Sequence, residues 1–277
     1  MSEQDKDPRQ NVPCVFFRKG SCRNGASCPF LHDLKAPAAE TKPAAPTKAP
    51  APRNIIVELK PGVPYMALDV ECVATAVQHN ARATAQIALV SQAGECVLNL
   101  YVKPAEPVVS YLGALTSLSK DLIDRHGLPL ATAMAQLRAN LPRDAILVGQ
   151  NIAKDVEWLA LREGEDFASM IDLAALFRVW SDRHQSFTYF GQDHVAACIL
   201  GEANDGAAHN AVTDAIKSMR LFNTYVELAS NPDQLAAIQR RLVETPPSPS
   251  FAKRFPQYEG CCMGNRKTCT CGAPFFS

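Results

Sequence analysis

No stretch of this 277-residue sequence stays apolar for the ~18 residues that a membrane-spanning helix needs, so no membrane role is expected. Net charge is missing too, because 28 Lys and Arg balance 28 Asp and Glu. Attraction of the whole molecule to nucleic acid is thereby excluded, and any such binding has to come from local patches. The opening residues, MSEQDKDPRQ, lack the apolar centre of a secretory signal. An intracellular protein, cytoplasmic or nuclear, is the expectation. In a reducing compartment the ten cysteines read as metal ligands and core residues rather than disulfides. Hydrophobic residues make up 47% of the chain, enough for a substantial core.

Four segments follow from composition. Residues 11–34 are a compact Cys/His stretch. Residues 35–53 are rich in Ala, Pro and Lys and read as an extended, semi-rigid linker. Residues 54–230 alternate strand and helix signals. Residues 231–277 end in a second cysteine cluster. Within the third segment, TAQIALVS and ECVLNLYVK flank a QAG turn and read as a hairpin. Helical patterns follow near residues 119–125 and 130–140, then the short buried strand DAILVGQ. NIAKDVEWLALREG reads as a helix with Asn151 as N-cap and Gly164 as its stop. FASMID reads as a last strand, followed by helices. In the final one Val212, Ile216, Met219, Phe222 and Val226 recur at helical spacing. Three strands followed by alternating helices and strands predict an α/β fold with a mixed sheet and helices on both faces.

The stretch YMALDVECVAT is an apolar strand that carries two carboxylates, Asp69 and Glu71. Strand side chains alternate, so both acids face one way. Burying unpaired carboxylates costs several kcal/mol or more, roughly, and like charges repel. A hard divalent cation, Mg²⁺ or Mn²⁺, would resolve both problems; solvent at a sheet edge is the plainer alternative. Asp155 lies in the first turn of a helix after a buried strand, where α/β sheets place their sites. His209 precedes the last amphipathic helix, and Asp214 falls near the edge of that helix's apolar stripe.

ALDVEC, VGQNIAKDVEWL and HNAVTD together resemble, in order and spacing, the three motifs of the DEDDh 3′–5′ exonucleases, which share the RNase H-like fold. The likeness spans residues 65–228 and is strongest to the eukaryotic RNA exonuclease branch. Asn, not Tyr, stands four residues before Asp214, which separates the chain from the tyrosine form of the motif. The resemblance implies a two-metal hydrolysis. Asp69 would bridge both ions. Glu71 and Asp214 would help hold the one that activates water, and Asp155 would hold the other. His209 would be the general base, and a nucleoside 5′-monophosphate the product. LTSLSKDLI is similar to the segment that cradles the terminal nucleotide in that family, through Leu118 and Ser119. An ordinary helix start with Ser119 as N-cap explains the same residues.

Upstream, Cys14, Cys22, Cys28 and His32 follow the pattern C-x7-C-x5-C-x3-H. Three thiolates and an imidazole make a closed tetrahedral Zn²⁺ site, and a segment this short needs the metal to fold. It resembles the CCCH zinc-finger family, whose members bind single-stranded RNA. Phe17 and Phe30 are the expected stacking platforms, with Arg18 and Lys19 on phosphates. Phe16, or any of the three phenylalanines, could instead form the finger's small core. Arg18, Lys19, Arg23 and Lys35 stand against only Asp33, a favourable local charge. A protein-binding role for the finger stays open, and no protein partner can be named.

Near the end, Cys261, Cys262, Cys269 and Cys271 suggest a possible second Zn²⁺. Cys72, Cys96 and Cys198 read as core residues. The resulting expectation is a metal-dependent 3′–5′ exonuclease on single-stranded RNA. The alternatives are a DNA exonuclease of the same chemistry and a catalytically silent RNA-binding adaptor.

Overall fold

A computed structural model describes residues 14, 17, 22, 24–32, 54–202 and 206–275. The chain divides into two compact units, residues 1–51 and 52–277. The linker expected at residues 35–53, together with Phe16, Arg18, Lys19 and Arg23, lies outside the described residues.

The larger unit is built on a six-stranded mixed sheet. In chain order its strands are β1 (Tyr65–Ala74), β2 (Arg82–Ser91), β3 (Cys96–Lys103), β4 (Leu128–Pro129), β5 (Ile146–Gly149) and β6 (Ser169–Asp172). Their spatial order is β4-β3-β2-β1-β5-β6. β1 pairs antiparallel with β2, and β2 with β3, whereas β1 and β6 flank β5 in parallel. The β2–β3 hairpin closes at Gly94, where φ is +84° and the Gly94 amide donates to the Ser91 carbonyl at 2.9 Å. β1 shows why the sheet is buried on both faces. Tyr65 and Ala67 enter one core cluster, and Met66, Leu68, Val70 and Cys72 enter the other. This is the mixed α/β architecture that the motif resemblance implies.

Helices α1 (Gly113–Thr116), α2 (Lys120–His126), α3 (Leu130–Asn140), α4 (Ala153–Trp158) and α5 (Leu173–Leu176) come from the crossovers. A small hairpin, β7 (Val179–Ser181) and β8 (Ser186–Thr188), follows where only helices were expected. Then come α6 (Gln192–Ile199), α7 (Ala211–Ala229) and α8 (Pro232–Glu244). The last elements are α9 (Phe251–Arg254) and the short pair β9 (Gln257–Tyr258) and β10 (Cys261–Cys262).

The helix α7 covers the Tyr65/Ala67 face of the sheet. Its buried stripe is Ala211, Ala215, Ser218, Met219, Phe222 and Tyr225. Burying Met219 and Phe222 contributes about 1.5–3 kcal/mol each. Val212, Ile216 and Val226 lie at the margin of this stripe, and Asp214 sits within the buried face. α8 adds Leu235 and Leu242 to the same core, so residues 231–244 pack as part of the larger unit.

Two local expectations change. The helix expected from Asn151 to Gly164 is only α4, six residues long. Asn151 does not cap it; it adopts a left-handed conformation (φ 54°) and its amide donates to Asp172 at 2.9 Å. The helix stops because buried Leu159 and Leu161 turn into the core around left-handed Ala160. Cys96, expected in the core, is exposed at the start of β3, beside the hairpin turn. Cys72 and Cys198 are buried as expected.

Candidate active site

Three elements bring the motif residues together. β1 supplies Asp69 and Glu71, which continue the face of Tyr65 and Ala67 under α7. An irregularity between Glu71 and Cys72 shifts the β1–β2 register directly after the second acid, and pairing then continues to Ala74. Such irregularities re-aim side chains beside sites. α4 supplies Asp155 from the end of β5. Gly149 permits this approach, since a Cβ there would lie 2.8 Å from Ile152 Cδ1 and 3.0 Å from the Leu68 carbonyl. α7 supplies Asp214 in its first turn. Asn210 caps it by accepting the Val212 amide at 3.1 Å. Buried Gln86 accepts the Ala211 amide at 3.2 Å and ties the helix start to β2. His209 is held just before the helix by its amide, which donates to the Leu115 carbonyl at 2.7 Å.

The acids are crowded. Asp155 and Asp214 are buried, and Asp69 and Glu71 half-buried. Ligand atoms of Glu71, His209 and Asp214 lie within 4.8 Å of one another. Burial, then the charges of Asp155, Glu71 and Asp214, push the Asp69 carboxyl well above its ordinary value. Burial likewise pushes Glu71 up to about 8, with His209 opposing and Asp214 and Asp155 adding to the shift. Burial raises Asp155 to about 7, against the stabilising backbone amides of its own residue and Val70. Asp214 behaves differently. Burial opposes its charge, but the hydrogen bond and charge of His209, together with Lys217, hold it below the usual value. His209 Nδ1 contacts Asp214 Oδ2 at 2.8 Å. Lys217 Nζ reaches Asp214 Oδ1 at 3.1 Å and Asp193 Oδ1 at 2.8 Å. That hydrogen bond to Asp214 raises His209 above its ordinary value despite burial.

Hard oxygen donors that resist ionisation in each other's company fit a divalent cation. The same crowding gives a pH dependence. Glu71 and Asp155 have folded values of about 8 and about 7 against ordinary values of 4.5 and 3.8. A raised carboxyl stabilises the fold below its ordinary value, and that stability is lost as pH rises through the folded value. Without divalent metal, the melting temperature is therefore expected to fall between pH 5 and pH 8, and Glu71→Gln to flatten the slope. Thermal melts in chelator check this; a wild-type melting temperature that is level or rising across the window contradicts it.

A groove of about 660 Å³ opens beside His209. α1 (Ala114, Leu115), the start of α6 (Gln192, Asp193), Met263 and residues 247–254 line it. Asp193 and Lys217 carry no signal of their own in the sequence. Lys217 lies three residues after Asp214, one turn along α7, which is the only local hint. Leu118 is 3% exposed and packs with Val73, Ala85 and Ile123. Ser119 caps α2 by accepting the Leu122 amide at 3.2 Å.

In the smaller unit, Cys14, Cys22, Cys28 and His32 bring one ligand atom each within 4.8 Å of the others. The buried His32 Nε2 has no hydrogen-bond partner, as a metal-binding nitrogen would require. Phe17 stacks on His32 with ring centroids 3.9 Å apart, so it braces a ligand. Phe30 is 40% exposed and open for stacking. The tail cysteines divide. Cys262, Cys269 and Cys271 gather with His79, while Cys261 is buried beside Ala74 and Leu112. The reason is geometric: neighbours in a strand point to opposite faces, so β10 can offer one cysteine to the cluster and not both.

Comparison with known proteins agrees with the fold and with the finger. A family model described as a zinc finger domain, of the CCCH type, matches residues 14–32. The chain is similar to nucleases that act on RNA. It is 29% identical to "Small RNA degrading nuclease 3" of Arabidopsis thaliana over 58% of this chain and 20% of that protein. It is 28% identical to "RNA exonuclease 5" of Homo sapiens over 63% of this chain and 21% of that protein. The chain thus spans only about a fifth of the length of these two relatives. The catalytic unit of Neurospora crassa Pan2, protease and nuclease domain, superimposes with a TM-score of 0.56 at 16% identity, over 71% of this chain and 33% of that one. Among the described residues no helix is long and apolar enough to cross a membrane.

Proposed function

We propose that the larger unit hydrolyses single-stranded RNA from its 3′ end, releasing nucleoside 5′-monophosphates, with Mg²⁺ or Mn²⁺ as cofactor. The observation that carries this reading is the convergence of Asp69, Glu71, Asp155, Asp214 and His209 from three separate elements. Asp69, Glu71 and Asp214 would hold one ion, and Asp69 with Asp155 a second. Bound there, the ions would supply Lewis-acid stabilisation of the attacking and leaving oxygens. His209 does the proton work. Its Nδ1 faces Asp214, so Nε2 is the atom that takes a proton from water. In the ion-free site the hydrogen bond to Asp214 favours the protonated imidazole. A cation held by Asp214 would draw on the same carboxylate charge and so favour the neutral, basic ring of His209. Lys217 and Asp193 hold Asp214 in position.

The finger, residues 14–32, would hold Zn²⁺ through Cys14, Cys22, Cys28 and His32 and stack an RNA base on Phe30. Arg18 and Lys19 are proposed to meet phosphate. Tethering weak binding to the nuclease raises the local substrate concentration. Cys22→Ser is expected to weaken binding of a long RNA about 5- to 150-fold, the equivalent of ~1–3 kcal/mol for one lost stacking contact. Turnover of a short oligonucleotide should stay unchanged. Equal loss in both assays would make the finger part of the catalytic core.

The test of the main reading is a sizing gel with 5′-labelled single-stranded RNA or DNA, in Mg²⁺, Mn²⁺ or chelator. A metal-dependent ladder that shortens RNA from its 3′ end supports the proposal. Equal shortening of DNA would remove the RNA preference. RNA that is retarded on a native gel but not shortened would point to the silent adaptor.

A further inference from the structure

We propose that His79, Cys262, Cys269 and Cys271 bind one structural Zn²⁺, which fastens residues 257–275 to the turn between β1 and β2. The donor set is three sulfurs and one imidazole nitrogen, drawn from two segments that no short motif links. Four of their six separations are near the tetrahedral values. Cys262 and Cys269 sulfurs lie 3.6 Å apart, and Cys269 and Cys271 sulfurs 3.5 Å. His79 Nδ1 lies 3.2 Å from Cys271 Sγ and 3.7 Å from Cys269 Sγ. Zinc–sulfur bonds of ~2.3 Å at tetrahedral angles set sulfurs roughly 3.8 Å apart, and nitrogen and sulfur about 3.6 Å apart. A disulfide would need ~2.05 Å, and all four groups lie within 4.8 Å of one another.

The surroundings are built for the same purpose. His79 Nε2 faces the Pro274 carbonyl at 3.2 Å. That bond assigns the ring proton to Nε2 and leaves the Nδ1 lone pair facing the sulfurs, the usual support of a metal-bound histidine. Phe275 stacks on the ring at 4.3 Å. Gly264 lies against His79, where φ is +74° and a Cβ would come to 3.4 Å of His79 Cβ. The Gly264 amide also points at Cys262 Sγ, 3.5 Å away. β10 is anchored to the turn by the Cys262 amide, which donates to the Val77 carbonyl at 2.7 Å. Arg82 donates to the Cys262 carbonyl at 3.0 Å. It brings a positive charge beside a centre that would carry one net negative charge. The neighbouring Glu259 is bonded to Ser110, and Met263 reaches the groove beside His209. The ion therefore sets part of the substrate-facing wall, a consequence that rests on the nuclease reading; the metal site itself does not.

Zinc content of the full chain tests the site without any substrate. Purified wild-type protein is expected to carry two zinc equivalents by elemental analysis, one in the finger and one here. Cys262→Ser and His79→Ala should each lose one, Cys261→Ser none, and His79→Cys should keep both. That last variant separates loss of a ligand from loss of fold. Cobalt exchanged into the Cys22→Ser protein, whose finger is broken, should still show thiolate–metal absorption bands. The proposal is overturned if Cys262→Ser keeps the wild-type zinc count or if Cys261→Ser loses as much as Cys262→Ser does. It also fails if the wild-type protein is lighter by two hydrogens, with a disulfide among residues 262, 269 and 271.

Discussion

Asp69→Asn is expected to abolish RNA shortening while leaving a folded protein. Asp69 interacts with Asp155, Glu71 and Asp214 at once, so its charge is the one that every proposed ion needs. Removing a single neutral donor from an anion site costs about 10²–10³ in turnover. Removing a full charge from the centre of a cation site should cost more than that. Stability should move the other way. The amide relieves repulsion among buried acids, so in chelator the variant should melt higher than wild type, by about 2–4 °C for each kcal/mol relieved. Added Mg²⁺ should raise the wild-type melting temperature and shift the variant far less. Calorimetry with and without metal, beside the gel assay, reads both effects. A variant that keeps turnover would remove the ion assignment. One that melts lower in chelator would mean that the carboxylate makes a contact that the amide does not replace.

His209→Asn is the second large effect. A positioned general base contributes about 10²–10⁴ in rate, and this loss is expected at saturating Mg²⁺ with little change in metal affinity. The pH profile separates base chemistry from mere support. In the wild type the rate should rise with pH as His209 loses its proton. The bond to Asp214 favours the protonated ring, so the rise should sit higher when Mg²⁺ is subsaturating and move down as the site fills. In His209→Asn this acid limb should flatten. A variant with a lower rate but an unchanged limb would assign the proton transfer to another group.

Much of the site is legible in the sequence because its parts obey short-range periodicities. Asp69 and Glu71 share a face because strands alternate, and Asp155 and Asp214 fall in first helical turns. What escapes is set by contacts between distant segments. Lys217 matters because α6 brings Asp193 to it, and no spacing encodes that meeting. His79 sits in a polar turn with no ligand motif around it; only the fold of β10 against that turn makes it a partner of three cysteines. The adjacent pair Cys261–Cys262 looks like two ligands in the sequence. The strand turns one of them into the core. The sequence alone does not show that Leu118 packs into the core, since an apolar residue beside a helix cap fits a nucleotide cradle or a core equally well until the sheet beneath it is known.

The contact between His79 and Cys271 spans 192 positions of the chain. A ribosome adding about 5–20 residues per second needs roughly 10–40 s to bridge that interval. Throughout it the β1–β2 turn is already made and its partner is not. Asp69 and Glu71 emerge early, whereas residues 247–254 and Met263, which line the groove beside His209, follow more than 170 positions later, so the groove cannot close around its acids until they are made.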